Sequence, residues 1–178
     1  MPNAPSDALE RARQVRLMAF DVDGVLTDGR LWFGPQGETL KAFSARDGLG
    51  MKLLADSGVA LALLTSRKSE AVALRAAELK IPHVLQGSED KHAPFAALLA
   101  QLALRPEQAG YMGDDLVDLP VLRRCGFACA PAGAPELVQR HSHYVTNLPA
   151  GAGAVREVCE FVLRAQGKLE GALAVYLA

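Results

Sequence analysis

The sequence predicts an α/β protein whose core is a doubly wound, Rossmann-like parallel sheet with helices on both faces. Short apolar blocks of strand length alternate with segments of helical periodicity along most of the chain, which is the pattern of repeated β-α-β units. Polar residues follow the apolar blocks, and ligands of such sheets bind beyond the carboxyl ends of the strands. With 178 residues, 50% of them apolar, the chain is long enough for one domain with its own core.

Strands are predicted where short apolar runs lack helical spacing. The run LMAF precedes an acidic loop, and the run VALALL precedes a pair of hydroxyl residues. Short apolar runs of this kind are typical of strands that are buried on both faces in a parallel sheet. In chain order the blocks cover residues 17–20, 59–64, 83–85, 110–112 and 127–130.

Helices are predicted between these blocks and after the last one. The pattern is clearest near the end of the chain, where Val155, Val158 and Val162 recur at helical spacing. Helices between parallel strands serve as the crossover connections that such strands require. The predicted helices lie near residues 48–56, 69–79, 94–102, 116–123, 135–141 and 154–166.

Residues 30–43 break this alternation and predict a β-hairpin insertion after the first strand. Two strand-like arms flank the turn sequence Gly34-Pro35-Gln36-Gly37. The arms carry many large apolar side chains for so small an element, which favours an oligomer interface, although burial against the hairpin's own domain stays open. These apolar residues are Leu31, Trp32, Phe33, Leu40 and Phe43.

The first strand ends in an acidic loop with the sequence DVDGVLTDG. Asp21 and Asp23 alternate with Val22, so their side chains leave an extended chain on the same side. Two carboxylates about 5 Å apart repel by roughly 3 kcal/mol at an effective dielectric constant of ~20. Gly24 and Gly29 allow the loop to turn sharply. The loop therefore predicts a bound cation.

A second acidic cluster follows the fourth apolar block, in the sequence YMGDDLVDLP. It contains Asp114, Asp115 and Asp118. The ends of the first and fourth blocks can be neighbours in a doubly wound sheet, so the two acidic loops would face each other. Hard carboxylate oxygens with few other protein donors suit Mg²⁺, which keeps several waters and binds substrate phosphate. Asp115 as a helix cap and Asp118 as a supporting acid are the alternative interpretations.

Two further strand ends carry groups suited to a phosphate. Thr65, Ser66 and Arg67 follow the second block, and Lys91 follows the third. A carboxylate nucleophile, a hydroxyl, a lysine and a carboxylate-bound metal are the components of phosphoryl transfer. Helix capping by the hydroxyls and a surface position for Lys91 are the simpler alternatives. The combination at successive strand ends favours a phosphate-transferring enzyme.

The sequence resembles the haloacid dehalogenase-like phosphatases. DVDGVLTDG is similar to their first motif, DxDGxxTDG; Thr65 matches the second motif, Lys91 the third and GDDLVD the fourth. Within this group, the stretches SARDG and GAVREVCE resemble the phosphatases of 3-deoxy-D-manno-octulosonate 8-phosphate, which act in lipopolysaccharide biosynthesis. The resemblance covers residues 17–169. Ser66 stands where the second motif usually has glycine, and GAGAVRE replaces the more arginine-rich GGRGAVRE of the family.

The resemblance implies a role for each matching residue. Asp21 would be the nucleophile that forms an aspartyl-phosphate, and Asp23 the general acid and base. Asp21, the backbone carbonyl of Asp23, and Asp114 would hold Mg²⁺. Thr65 and Lys91 would bind the phosphoryl oxygens. The implied substrate contacts are Asp23, Ser44, Ala45, Arg46, Asp47, Gly48, Arg67, Arg75 and Lys91.

Phosphatases of this class usually carry an inserted cap domain, but this chain lacks room for one. The intervals from Asp21 to Thr65 and from Thr65 to Lys91 are too short for an extra domain of about 60 residues. The site should then be open or covered by another subunit, and the resemblance implies a homotetramer. We expect a single domain over residues 1–178, with its core over residues 17–169.

Composition narrows the functional classes further. A net charge of −1 predicts neither nucleic-acid nor membrane binding, and the N-terminal segment lacks the apolar core of a secretion signal. Cys125, Cys129 and Cys159 suggest no disulfide framework or zinc site. We expect a cytoplasmic enzyme with a small sugar-phosphate substrate.

A calcium-binding EF-hand is excluded because Leu26 replaces the glycine that its loop requires. A receiver-type signalling domain, or a capless phosphatase of another sugar phosphate or of phosphoproteins, remains an alternative.

Overall fold

A six-stranded sheet forms the centre of the computed structural model, which describes residues 6–35 and 37–177. The strands run in the spatial order β5-β4-β1-β6-β7-β8, and every neighbouring pair is parallel. Strands β2 and β3 form a separate antiparallel hairpin. The strands are β1 (Leu17–Phe20), β2 (Trp32–Gly34), β3 (Gly37–Leu40), β4 (Ala60–Thr65), β5 (His83–Gln86), β6 (Ala109–Met112), β7 (Phe127–Ala132) and β8 (Tyr144–Pro149).

Helices cover both faces of this sheet. Short 3₁₀ turns at Pro106–Gln108 and Leu116–Asp118 lie beside β6, one at each end. The helices are α1 (Ser6–Gln14), α2 (Ala45–Asp56), α3 (Glu70–Glu78), α4 (His92–Gln101), α5 (Leu119–Leu122), α6 (Glu136–Arg140), α7 (Ala154–Ala165) and α8 (Leu169–Ala174).

Side-chain alternation along β1 divides the core into two layers. Met18 and Phe20 pack on the face covered by α1, α2, α3 and α7, whereas Leu17 and Ala19 pack on the face covered by α4, α5 and α6. Successive residues of a strand point to opposite faces, and all of β1 is buried. The strand that precedes the acidic loop is therefore held rigidly from both sides.

The predicted fold class is confirmed: the sheet is parallel, it is covered on both faces, and a hairpin follows β1. The part of the chain that the structure describes has no inserted domain between β1 and α4. Helices α1 and α8 were not predicted, and three further details differ from the predictions. Helix α2 begins at Ala45 rather than at residue 48, because the Ser44 hydroxyl accepts a hydrogen bond from the Asp47 amide at 3.3 Å.

The other two differences lie in the second half of the chain. Strand β8 was not predicted, because Thr146 and Asn147 interrupt its apolar pattern at the edge of the sheet. The helix predicted over residues 116–123 is a 3₁₀ turn followed by the short helix α5. Pro120 contributes to that break because it has no backbone N–H group to donate.

The hairpin projects most of its apolar side chains toward solvent, whereas Phe43 packs against the core. Trp32 is 56% exposed, and Phe33 and Leu40 are each 67% exposed. Gln36, at its predicted turn, lies outside the described residues. Over residues 6–35 and 37–177, each helix is too short or too polar to pass through a lipid bilayer.

Candidate active site

The site lies where the chain reverses its direction across the sheet, between β1 and β6. From β1 the chain fills β4 and β5 on one side, and it then returns through β6 to β7 and β8 on the other. Crevices at such switch points are where ligands bind. A cavity of about 290 Å³ opens there. Its lining consists of Asp21, Asp23, Gly29, Leu31, Thr65, Ser66, Arg67, Lys91, Asp114, Asp115 and Val117.

The two acidic loops are in direct contact, as the sequence analysis expected. The Asp21 amide donates to the Met112 carbonyl at 2.9 Å, which continues the pairing of β1 with β6 past the strand end. Gly24 has φ of +90°, and a Cβ atom there would lie 2.0 Å from Oδ2 of Asp114. Only glycine therefore lets the first loop approach the second so closely.

Lys91 is the buried cation at the centre of the site. Its Nζ lies 2.8 Å from Oδ2 of Asp21 and 2.8 Å from Oδ1 of Asp118. The buried Tyr111 hydroxyl donates to the same oxygen of Asp118 at 2.6 Å. We call Lys91, Asp21, Asp118 and Tyr111 the Lys91 cluster. The surface position considered for Lys91 is wrong, because its side chain is only 2% exposed.

Asp118 holds the second acidic loop in place. Its Oδ2 accepts hydrogen bonds from the amides of Asp114 and Asp115 at 3.0 and 3.1 Å. Both of its oxygens therefore have protein donors, which agrees with the interpretation of Asp118 as a supporting acid. Asp115 caps the 3₁₀ turn that follows, since its Oδ1 accepts from the Leu116 amide at 2.7 Å.

Excess negative charge makes the cluster suited to a further cation. Burial and the neighbouring Asp118 raise the pKa of Asp21 to about 6, although Lys91 opposes this shift. Burial, Asp21 and Asp118 raise the pKa of Asp114 to about 7. Burial disfavours the charged form of Lys91, but Asp21 and Asp118 outweigh it and raise the lysine pKa. A bound divalent cation would relieve this repulsion.

The donor set fits a hard metal ion. Carboxylate oxygens of Asp21, Asp114 and Asp118 all lie within 4.8 Å of one another. Because Asp118 is already saturated by Lys91, Tyr111 and two amides, Asp21 and Asp114 have the free oxygen capacity. All of these donors are oxygens, which suits Mg²⁺ rather than a softer metal.

A second group of charges surrounds Asp23. Lys41 of the hairpin contacts Oδ1 of Asp23, and its Nζ lies 2.8 Å from Oε1 of Glu38. Arg67 approaches the same two acids, at 3.8 Å from Asp23 and 3.9 Å from Glu38. We call Lys41, Asp23, Glu38 and Arg67 the Lys41 cluster. Lys41 and Glu38 were not predicted as site residues, since both look like ordinary polar residues of a hairpin.

Thr65 and Arg67 reach the cavity from the end of β4. Thr65 is buried, and its Oγ1 accepts from the Arg67 amide at 3.3 Å, a local bond that turns the chain after the strand. The Arg67 side chain is 47% exposed and lines the cavity. The structure thus brings the predicted catalytic and metal-binding residues together with Arg67.

The remaining predicted substrate contacts lie outside this cavity. Ser44, Ala45 and Gly48 belong to the start of α2, and the buried Asp47 accepts from the amides of Gly153 and Arg156 at 3.2 and 2.8 Å. Within the described residues, the substrate role of residues 44–48 and of two arginines stays a prediction. These are Arg46, which donates to the Ala152 carbonyl at 3.2 Å, and Arg75, which donates to the Ser44 carbonyl at 3.2 Å and pairs with Glu78 at 2.8 Å.

No protein-family model matches the chain, but the individual proteins that match it are phosphatases of one kind. The 3-deoxy-D-manno-octulosonate 8-phosphate phosphatase KdsC of Yersinia pestis is 47% identical over 166 residues, which cover 93% of this chain and 89% of that protein. KdsC of Escherichia coli K12 is 45% identical over 167 residues, covering 94% of this chain and 89% of that protein.

A solved structure extends this similarity to three dimensions. The 3-deoxy-D-manno-octulosonate 8-phosphate phosphatase of Moraxella catarrhalis, in complex with magnesium, phosphate and KDO, has a TM-score of 0.93 and 39% identity. The match covers 96% of this chain and 98% of that one. Nearly the whole chain therefore shares both sequence and fold with these enzymes.

Proposed function

The chain belongs to the 3-deoxy-D-manno-octulosonate 8-phosphate phosphatase family of haloacid dehalogenase-like enzymes, and on this premise we propose that it releases phosphate from 3-deoxy-D-manno-octulosonate 8-phosphate. The observation that carries the proposal is the buried contact between Asp21 and Lys91, beside Asp114, at the switch point of the sheet. A nucleophilic carboxylate, a lysine and a metal-binding acid are the groups that cleavage of a phosphate ester requires.

In the first step, a carboxylate oxygen of Asp21 attacks phosphorus and the bond from phosphorus to the sugar oxygen breaks. Asp23 gives a proton to the departing sugar oxygen. In the second step, water attacks the phosphorus of the aspartyl-phosphate and gives a proton to Asp23, and inorganic phosphate leaves with Asp21 restored. Lys91 and Thr65 stabilise the phosphoryl oxygens in both steps.

Asp21, Asp114 and the backbone carbonyl of Asp23 would hold Mg²⁺. The ion supplies positive charge that screens Asp21 from the anionic substrate. The chemistry of the donor set supports this assignment, since two acids with raised pKa values and free oxygens lie together. The magnesium in the related Moraxella catarrhalis structure also supports it.

The sugar acid presents a carboxylate at the end opposite the phosphate. Arginine binds carboxylate with two hydrogen bonds, and Arg67 lies at the cavity with nearly half of its side chain exposed. Arg46, Arg75 and the rest of residues 44–48 would contact the sugar acid in an assembled site. The KDO molecule in the Moraxella catarrhalis structure supports this substrate class.

We propose a homotetramer in which the hairpins lie between subunits. The support is the exposure of Trp32, Phe33 and Leu40 on an element with little core of its own, since large exposed apolar patches mark interfaces. A neighbouring subunit would also cover a site that has no cap. The proposed place of action is the cytoplasm, as a step of lipopolysaccharide biosynthesis.

Phosphate release from 3-deoxy-D-manno-octulosonate 8-phosphate tests the function, beside a panel of other sugar phosphates and a phosphopeptide. Each compound is measured with Mg²⁺ and with chelator. We expect a strong preference for the octulosonate with Mg²⁺, and we expect the chelator to abolish phosphate release. Preference for another compound would refute the substrate and retain the chemistry, whereas activity that survives chelation would refute the metal assignment.

A further inference from the structure

Lys41 is a buried lysine that no catalytic step described above uses. Its side chain is 1% exposed, and its ammonium group lies between the carboxylates of Asp23 and Glu38. Burying a charge is costly unless it is paired, so the two acids determine where the ammonium group lies. Lys41 is not among the residues that line the cavity.

The two carboxylate oxygens of Asp23 have different surroundings. Oδ1 is held by Lys41, whereas Oδ2 is buried and has no hydrogen-bond partner among residues 6–35 and 37–177. The Arg67 Nε atom is 3.8 Å from Oδ2, which is too far for a hydrogen bond. One oxygen is therefore anchored, and the other keeps its lone pairs for a further partner.

We infer that Lys41, held in turn by Glu38, is a positioning residue that fixes the Asp23 carboxylate so that Oδ2 exchanges the proton with the sugar oxygen and then with water. This inference rests on the proposed function, because it concerns the acid–base residue of that reaction. Glu38 shares the ammonium group, so the charge of Lys41 is divided between two acids. The hairpin thereby takes part in catalysis through its inner side.

Comparing substrates with different leaving groups distinguishes a positioning role of Lys41 from a purely structural one. A sugar oxygen needs a proton as it departs, whereas 4-nitrophenolate leaves readily as an anion. Misplacing Asp23 should therefore slow hydrolysis of the sugar phosphate much more than hydrolysis of p-nitrophenyl phosphate. General acid–base catalysis contributes about 100-fold or more, so the expected difference between the two substrates is large enough to measure.

The experiment compares kcat and KM of the full-length wild type and Lys41→Met, with Mg²⁺, on 3-deoxy-D-manno-octulosonate 8-phosphate and on p-nitrophenyl phosphate. We expect kcat on the octulosonate to fall about 100-fold in Lys41→Met, with KM little changed and p-nitrophenyl phosphate little affected. Lys41→Arg, which keeps the charge, should recover most of the loss. Lys80→Met is the matched control, because Lys80 is exposed and does not line the cavity.

Equal losses on both substrates, or no loss on either, would overturn the inference. If circular dichroism shows that Lys41→Met does not fold, Glu38→Gln replaces it, and the same selective loss, smaller in size, is expected. A wild type that cleaves p-nitrophenyl phosphate but not the octulosonate would instead refute the proposed substrate. The leaving-group comparison would then use whichever sugar phosphate of the panel the enzyme accepts, with the same criteria.

Discussion

The Lys91 cluster and the Lys41 cluster are built on different kinds of structure. The first lies at the end of β1, in β6, in the 3₁₀ turn that follows β6 and at the start of α4, and its charged side chains are at most 7% exposed. The second combines a loop residue, Asp23, with the hairpin residues Lys41 and Glu38, and both of its acids are 17% exposed. The central sheet dictates the geometry of the first cluster, whereas the second depends on how the hairpin folds back.

This difference divides the proposed reaction between the two regions. Attack on phosphorus takes place at the rigid strand ends, where the barrier is governed by charges held by the core. Protonation of the leaving group takes place at an element whose outer face exposes Trp32 and Phe33. Attack on phosphorus should therefore tolerate changes in the oligomeric state, whereas protonation of the leaving group should be sensitive to them.

Removing the nucleophile should have the largest effect. Asp21→Asn has nearly the same shape but cannot form the acyl phosphate, so we expect phosphate release to fall by more than about 10⁴-fold. Lys91 stays paired with Asp118 in this variant, and the thermal unfolding midpoint is the check that the fold persists. Activity within tenfold of the wild type would rule out Asp21 as the nucleophile.

Loosening the Lys91 cluster should have the next largest effect. Asp118→Asn weakens the restraint on Lys91 and on the amides of Asp114 and Asp115. Residues that orient the groups of an active site in this way typically contribute about 10- to 100-fold to activity. Tyr111→Phe removes one of the donors to Asp118 and should cost only a few-fold. Steady-state kinetics on both variants measures the contrast. Equal effects would mean that Asp118 does not act through Lys91 and the loop.

Changing the outer face of the hairpin should affect assembly more than chemistry. Phe33→Ser combined with Trp32→Ser should dissociate the proposed tetramer, because it removes the apolar surface that would be buried. Sedimentation velocity measures the mass, and activity on p-nitrophenyl phosphate shows whether the Lys91 cluster still works. Leu74→Ser, at a residue that is 65% exposed on α3, is the control. A wild type that sediments as a monomer would refute the tetramer directly.

The smallest effect is expected at a site remote from both clusters. Glu157 on α7 accepts hydrogen bonds from Asn147, from Leu148 and from the Tyr144 hydroxyl. Glu157→Gln should lower the free energy of unfolding by about 1–2 kcal/mol and leave kinetics unchanged. Urea unfolding measures this difference, with the exposed Glu170→Gln on α8 as control. Changed kinetics would show that the contact between α7 and β8 influences the geometry of the active site.

The stability that Glu157 contributes should depend on pH in a defined direction. Partial burial opposes ionisation of this residue, but the hydrogen bonds from Asn147, Tyr144 and Leu148 outweigh it and lower the pKa. A lowered pKa in the folded state gives stability that is complete above the pKa of the unfolded chain, about 4.3. This stability is lost as pH falls through the folded pKa. The difference between wild type and Glu157→Gln should thus shrink in acid.

Much of the cavity lining could be predicted because several of its residues follow the carboxyl ends of strands. Asp21, Thr65, Lys91 and Asp114 each follow an apolar block, and parallel strands bring their carboxyl ends to one edge. The full order of the strands was not predicted, because β-α-β alternation is compatible with more than one order; the sequence indicated only that the ends of the first and fourth blocks can be neighbours. The acidic repulsion also pointed correctly to nearby cations, although it suggested only a metal and not Lys41.

Other features could not be predicted, because they depend on contacts that form only when different structural elements pack together. Lys41 meets Asp23 across 18 residues, and Tyr111 meets Asp118 inside the core. Strand β8 forms because β7 offers an edge to a polar segment whose Thr146 hydroxyl accepts from the Ala132 amide at 3.1 Å. None of these partners has a local pattern that would mark it.

The sequence by itself determined the fold class, the hairpin and the set of groups at the strand ends, since periodicity and strand boundaries are local properties. Only the tertiary structure decided which acid each buried lysine contacts and which oxygen of Asp23 remains free. Pairing of buried charges follows from which side chains are removed from water together, and that is settled when the hairpin and the helices pack onto the sheet.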